Sequence, residues 1–454
     1  MRNLFLTIFI PAALLWGLWS APASILVLTW IWFQRPYDFA WGFWNTLPVF
    51  RIALAVALVS NIARGQFRPR FPPILVIYLF LMGWITLSAC YAYDPKDTWE
   101  FCQAYLPSMW VSPILIFATV RELDFLKRVM WVAAGGIGIN GAKVGLALTA
   151  KGGGTLSDQI SGFVGDNNVF GLVLCLVIAI ALGLRRTLPD KRWVRVVFYV
   201  VVSLIALCIV YTKSRGALLT LVIIILLRGL VSARPIRNVL LISVLLGLAY
   251  VSIPATYFDR LSSLNDLGAD TSAMGRVQNW GLSWNEAVAN PWLGVGPSNH
   301  IPYNRGRADV QVRVAHSVYF QVLGELGFPA LILYLLFVFV GLFSLIRTWR
   351  AMIPVVRERP DLLWVKDLAS WMTCAYFAYI FGSGLLNMLY LEFPWYVPFF
   401  GSMLWPMVQR ELVAGKRAPP AATANTSVAA TETTPGSAGS VMPRPRWRTV
   451  RSHR

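Results

Sequence analysis

The chain has 454 residues, of which 57% are apolar, 14% aromatic and only 13% charged, and its mean hydropathy is +0.59. Soluble domains carry about 25% charged residues, so this composition excludes a soluble globular enzyme, a disordered chain and a disulfide-stapled secreted module. It indicates an all-α, polytopic membrane protein.

Residues 4–34 are almost wholly apolar and are broken by Pro11 and Pro22. The stretch reads as a retained anchor making one kinked or re-entrant pass, since no small-residue cleavage site follows a short apolar core. Runs long enough to cross about 30 Å of hydrocarbon follow near 49–64, 73–92, 104–120, 126–148, 166–184, 194–211, 214–231 and 236–253, then at 328–346, 367–388 and 393–409. This makes about 12 transmembrane helices with both termini inside; 13 with Met1 outside is the alternative. The expected organisation is transmembrane helices over 1–253, one large loop over 254–327, further transmembrane helices over 328–417, and a tail over 418–454. The loop contains Trp280, Trp284 and Trp292 and has helical spacing through 275–289, so it is expected to be ordered. The tail is rich in Ala, Thr, Ser and Pro and then basic, the signature of a disordered segment.

Forty Lys and Arg against 21 Asp and Glu give a net charge of +19. In a soluble protein this would suggest nucleic acid. Here most of the basic residues fall in the connections around 62–71, 121–128, 185–195, 232–237 and 347–366 and in the tail, which alternation of spans puts on one side. The positive-inside rule makes that side cytoplasmic. The charge is thus a topology signal that requires no nucleic acid, and the 254–327 loop falls on the outer face. The five cysteines lie in or beside apolar runs and read as buried free thiols, with a Cys90–Cys102 disulfide across one outer loop as the alternative.

Gly136, Gly138 and Gly141 match a dinucleotide fingerprint in form, but they sit inside an apolar span and follow no strand, so close helix packing explains them better. Neither a metal-ligand spacing nor a nucleophile elbow occurs. The suggestive polar groups lie at outer membrane boundaries. Lys213 and Arg215 stand between two spans, where a cation either snorkels to the interface or serves a function. Asp166, Asn167 and Asn168 open a span and suit either a helix cap or a site. Arg276, Trp280 and Trp284 share a helical face at i, i+4 and i+8. His316 is followed by Ser317, Gln321 and Glu325 in a mainly apolar segment, and an imidazole there can move a proton near neutral pH.

With these stretches in hand, the chain resembles the O-antigen ligase and O-antigen polymerase superfamily. The match is carried by Ser214-Arg215-Gly216-Ala217, Met274-Gly275-Arg276 with Trp280, Asn290-Pro291-Trp292-Leu293-Gly294-Val295-Gly296, and Ala315-His316-Ser317 leading to Leu323-Gly324-Glu325-Leu326-Gly327. Pro36-Tyr37-Asp38-Phe39 and Gly165-Asp166-Asn167-Asn168 look like the ligase branch. The resemblance implies a GT-C type glycosyltransferase of the bacterial inner membrane with its active site facing the periplasm. Such an enzyme passes a glycan from undecaprenyl diphosphate to lipid A–core oligosaccharide and needs no cofactor or metal. A polymerase, or a protein O-oligosaccharyltransferase, would differ only in the acceptor. The expected catalytic residues are His316 as general base and Arg215 and Arg276 on the diphosphate. Asn167, Asn168, Lys213, Trp280 and Gln321 are expected to contact donor or acceptor. A transporter is disfavoured, because no repeat relates the two halves.

Overall fold

A computed structural model describes residues 2–39, 43–151, 166–232, 234–238, 240, 271–307 and 311–417. It is 83% helix, with no strand among the described residues. The expected tail and the part of the loop over 254–270 lie outside the described residues, as does most of the span at 236–253.

The helices in chain order are α1 (Arg2–Trp19), α2 (Ala21–Gln34), α3 (Phe43–Thr46), α4 (Val49–Ala63), α5 (Pro73–Cys90), α6 (Pro95–Thr119), α7 (Leu123–Ala150), α8 (Asn167–Leu184), α9 (Arg192–Tyr211), α10 (Arg215–Leu230), α11 (Thr271–Ala289), α12 (His300–Asn304), α13 (Val318–Glu358), α14 (Leu363–Ser383) and α15 (Glu392–Arg417). Six of them (α5, α6, α7, α8 with the turn that follows it, α9 and α13) are long and apolar enough to cross a membrane, and α1 and α4 hold shorter apolar stretches. The protein is a multi-pass membrane protein.

Residues 2–34 form two helices where the sequence left a kinked or a re-entrant pass open. Ser20 takes an extended conformation and its side chain caps α2 by accepting from the Ala23 amide. The chain therefore reverses, and α1 and α2 pair as an antiparallel hairpin: Gly17 meets Ser24, and Phe9 meets Trp30 with ring centroids 5.2 Å apart. Proline explains the break. Pro11 is accommodated within α1, whereas Pro22 sits in the first turn of α2, where its missing N–H costs nothing.

The basic connections converge at one end of the bundle. Arg64 donates to the carbonyls of Leu18 and Trp19 at 2.6 and 2.8 Å, and Arg121 donates to that of Arg68 at 2.9 Å. Asp367 pairs with Arg186 at 2.5 Å and reaches Arg228 at 4.0 Å. Sequence-distant basic segments thus meet one another: the 62–71 connection meets the α1–α2 turn and the 121–128 connection, and Arg186 and Arg228 meet at Asp367.

Small residues bring the helices close. On α7, a Cβ added to Gly141 would stand 2.7 Å from Leu174 of α8, and one on Gly145 would strike the Leu204 carbonyl of α9. Gly136 and Gly138 likewise face α2 and α8. The glycine pattern is therefore a packing stripe and not a nucleotide loop. Of the five free cysteines, Cys102, Cys175, Cys208 and Cys374 are buried; Cys90, at the end of α5, is exposed.

Candidate active site

The end opposite the basic surface gathers the predicted motifs, and their glycines and prolines explain how. Gly327 interrupts α13 at φ 82°, ψ 179°, dividing a short segment over 318–326 from the long helix beyond. The backbone of 290–298 lies along this break. Val295 and Gly296 donate to the Gly324 and Glu325 carbonyls at 3.1 and 2.9 Å, and Phe328 donates to Pro291 at 3.0 Å. Ser88 and Trp84 of α5 close the third side: Ser88 donates to Leu293 at 2.6 Å, and the Trp84 indole donates to Trp292 and Leu326. The two glycine-rich motifs are thus partners that satisfy each other's backbone groups, which buried irregular backbone requires.

This frame delivers His316. Its φ of 48° is left-handed, a conformation that costs a non-glycine residue energy and is held only by its surroundings. The Trp280 indole donates to the Ala315 carbonyl at 2.8 Å while its ring stacks on Phe320 at 5.2 Å. On the other side, the Ser317 amide donates to Asn387 at 3.2 Å. His316 is half-buried, and burial lowers its pKa; the Arg276 and Arg313 charges lower it further, and Asp166 opposes them. Arg276 and Asp166 therefore both act on the imidazole, although 40 residues of chain separate Arg276 from His316 and 150 separate Asp166 from it.

The remaining predicted residues distribute as follows. Asp166 caps α8, accepting from the Asn168 and Val169 amides at 2.8 and 2.9 Å, with Asn167 and Asn168 half-buried in the first turn. Lys213 is exposed and left-handed at φ 53°, and Ser214 caps α10 so that Arg215 opens that helix. Gly171 lets Thr212 and Ala217 approach α8, which sets the Arg215 turn beside the start of α8. Gln321 is buried, accepting from the Leu389 amide at 3.4 Å and donating to Glu325. Trp280 is engaged with the His316 loop. The buried face of α11 carries Asn279, Ser283 and Glu286, each 1% exposed, whereas Trp284 is 51% exposed.

Sequence reasoning missed Asn387, Asn279 and the buried trio Glu286, His300 and Asn304. His300 Nδ1 pairs with Glu286 at 2.8 Å, and Asn304 donates to the same carboxylate. Burial lowers the His300 pKa, but the hydrogen bond and charge of Glu286 more than reverse this and leave it raised. A polar row at 279, 283 and 286, three or four apart, was the readable signal; nothing in sequence marked Asn387. Among the described residues, no three His, Cys, Asp or Glu side chains are grouped to hold a metal ion.

Residues 200–335 match the family model described as O-antigen ligase. The match supports membership of the O-antigen ligase family for this segment, which is under half of the chain. The matched domain supports a membrane glycosyltransferase of the ligase and polymerase type. The matched segment contains Lys213, Arg215, Arg276, Trp280, His316 and Gln321. Residues 1–182, with Asn167 and Asn168, match a family of unknown function (DUF5935). Asn387 lies outside both. No curated protein matches the chain.

Proposed function

We propose that this O-antigen ligase family member transfers a glycan from undecaprenyl diphosphate to lipid A–core oligosaccharide at the periplasmic face of the bacterial inner membrane. The supporting observation is one imidazole under the influence of Arg276 within the ligase-matched segment. The acceptor hydroxyl oxygen attacks the anomeric carbon, the bond from that carbon to the diphosphate breaks, and the hydroxyl proton passes to His316. Direct displacement inverts the anomeric carbon. Arg215 and Arg276 hold the diphosphate; a guanidinium stays charged and its fork of donors matches phosphate oxygens. The two cations take up the charge that develops on the leaving group, so no divalent ion is required. A depressed His316 pKa keeps the ring neutral, ready to accept a proton at pH 7. The segment 254–327 supplies Arg276 and His316 as the periplasmic part of the enzyme, and Asn167, Asn168, Lys213 and Gln321 contact donor or acceptor.

Reconstitution with purified lipid-linked glycan and lipid A–core tests the reading directly. Transfer should proceed equally with EDTA present. Activity that vanishes in EDTA and returns with Mg²⁺ would rule out the two arginines as the only charge stabilisers. Sidedness has its own test. A membrane-impermeant maleimide added to intact spheroplasts should label Cys90, which shares this end of the bundle; labelling only after lysis would put the site in the cytoplasm.

A further inference from the structure

Among the described residues of the loop over 298–317, only the five of α12 have regular structure, so contacts from outside hold its course. The imposing element is α11. Glu286 grips His300 and Asn304, and Ser283 meets His300 at 3.4 Å. Asn279 accepts from the Arg313 amide at 2.8 Å and donates to the Gln311 carbonyl at 3.3 Å. Trp280 holds the Ala315 carbonyl, and Arg276 acts on His316. Positions along α11 fall from 286 to 276 while their loop partners rise from 300 to 316, so loop and helix run antiparallel along a row of polar side chains. The three innermost, Asn279, Ser283 and Glu286, are shut away from solvent, where an unmade hydrogen bond costs about 1–3 kcal/mol. Register errors are therefore penalised at each step.

We infer that the buried polar face of α11, through Asn279, Glu286 and the Trp280 indole, sets where His316 stands relative to Arg276. These are positioning residues: they touch the loop and the helix, and they act on transfer through His316. The catalytic meaning of the inference rests on the proposed function, but the placement itself does not.

His316 reports its own position. Three charged groups act on it, Arg276 from α11, Asp166 from the cap of α8 and Arg313 from its own loop. If Arg276 retreats, a depressing charge is lost and the His316 pKa rises. The chain has only three histidines, His300, His316 and His453, so ring-labelled full-length protein in lipid nanodiscs gives a tractable NMR titration, assigned with His300→Gln and His316→Gln. In Asn279→Ala and Glu286→Ala the His316 midpoint should move to higher pH by about half a unit. Transfer should fall about 10- to 100-fold, with the acid limb of its pH profile displaced in the same direction. Should either variant fail to fold, Trp280→Phe removes the indole donor while keeping the stacked ring, and the same upward displacement is expected. An unchanged His316 titration in the folded variants would overturn the inference, because a purely structural contribution lowers the amount of folded protein without moving that midpoint. If the wild-type protein transfers no glycan, the proposed function fails while the titration still decides the placement.

Discussion

Replacing His316 with glutamine should lower glycan transfer by about 10²- to 10⁴-fold, the range expected when a positioned general base is lost, while the protein still folds and inserts. Glutamine keeps the size and polarity of the side chain but cannot accept a proton, so the substitution separates chemistry from packing. Wild-type enzyme should show a pH–rate profile whose acid limb lies below the ordinary histidine value near 6.5, since burial and the Arg276 and Arg313 charges all depress this imidazole. The direction follows from the role: the base works only when neutral, and a lowered pKa extends the neutral form to lower pH. Initial rates between pH 5 and 8 on the reconstituted system would measure both effects. Full activity in His316→Gln would remove it as the base.

Gly327→Ala should have the other large effect, this time on folding. At φ 82° and ψ 179° the residue occupies a region open essentially to glycine alone. A Cβ there would also stand 2.7 Å from the Pro291 carbonyl oxygen and collide with that of Trp292. The strained backbone costs about 1–3 kcal/mol, and overpacking against main chain, which cannot swing aside, adds about 1–3 kcal/mol. Because 290–298 pairs with this break, the damage reaches the frame that presents His316. Thermal unfolding in detergent should show a large loss of stability, or the folded yield should collapse. An Ala variant that unfolds at the wild-type temperature would mean that the break in α13 is not held as described.

Much of this protein was legible in its residues. Hydropathy marked α4, α5, α7, α8, α9, α10 and α14 to within a few positions; α6 starts earlier, α15 ends later, and α13 extends beyond its apolar run at both ends, with Gly327 separating the segment over 318–326 from the long helix. The pairing of Arg186 with Asp367 and of Arg121 with the Arg68 carbonyl follows the basic segments picked out by charge alone. Composition left residues 4–34 open between a kinked and a re-entrant pass, because two short apolar helices and one kinked helix have the same composition; the cap at Ser20 distinguishes them.

Local pattern sufficed wherever the cause was local. An apolar run long enough to cross hydrocarbon becomes a helix, and an Asp or Ser before it becomes the cap, because the neighbouring amides are a few residues away. Tertiary structure alone decided what the polar row of α11 meets, setting Asn279 against the Arg313 amide and Glu286 against His300 and Asn304, and it alone brought Asn387 to the Ser317 amide. Those outcomes depend on which distant polar groups lack water and must find a partner elsewhere in the chain, and composition along one segment holds no record of that need.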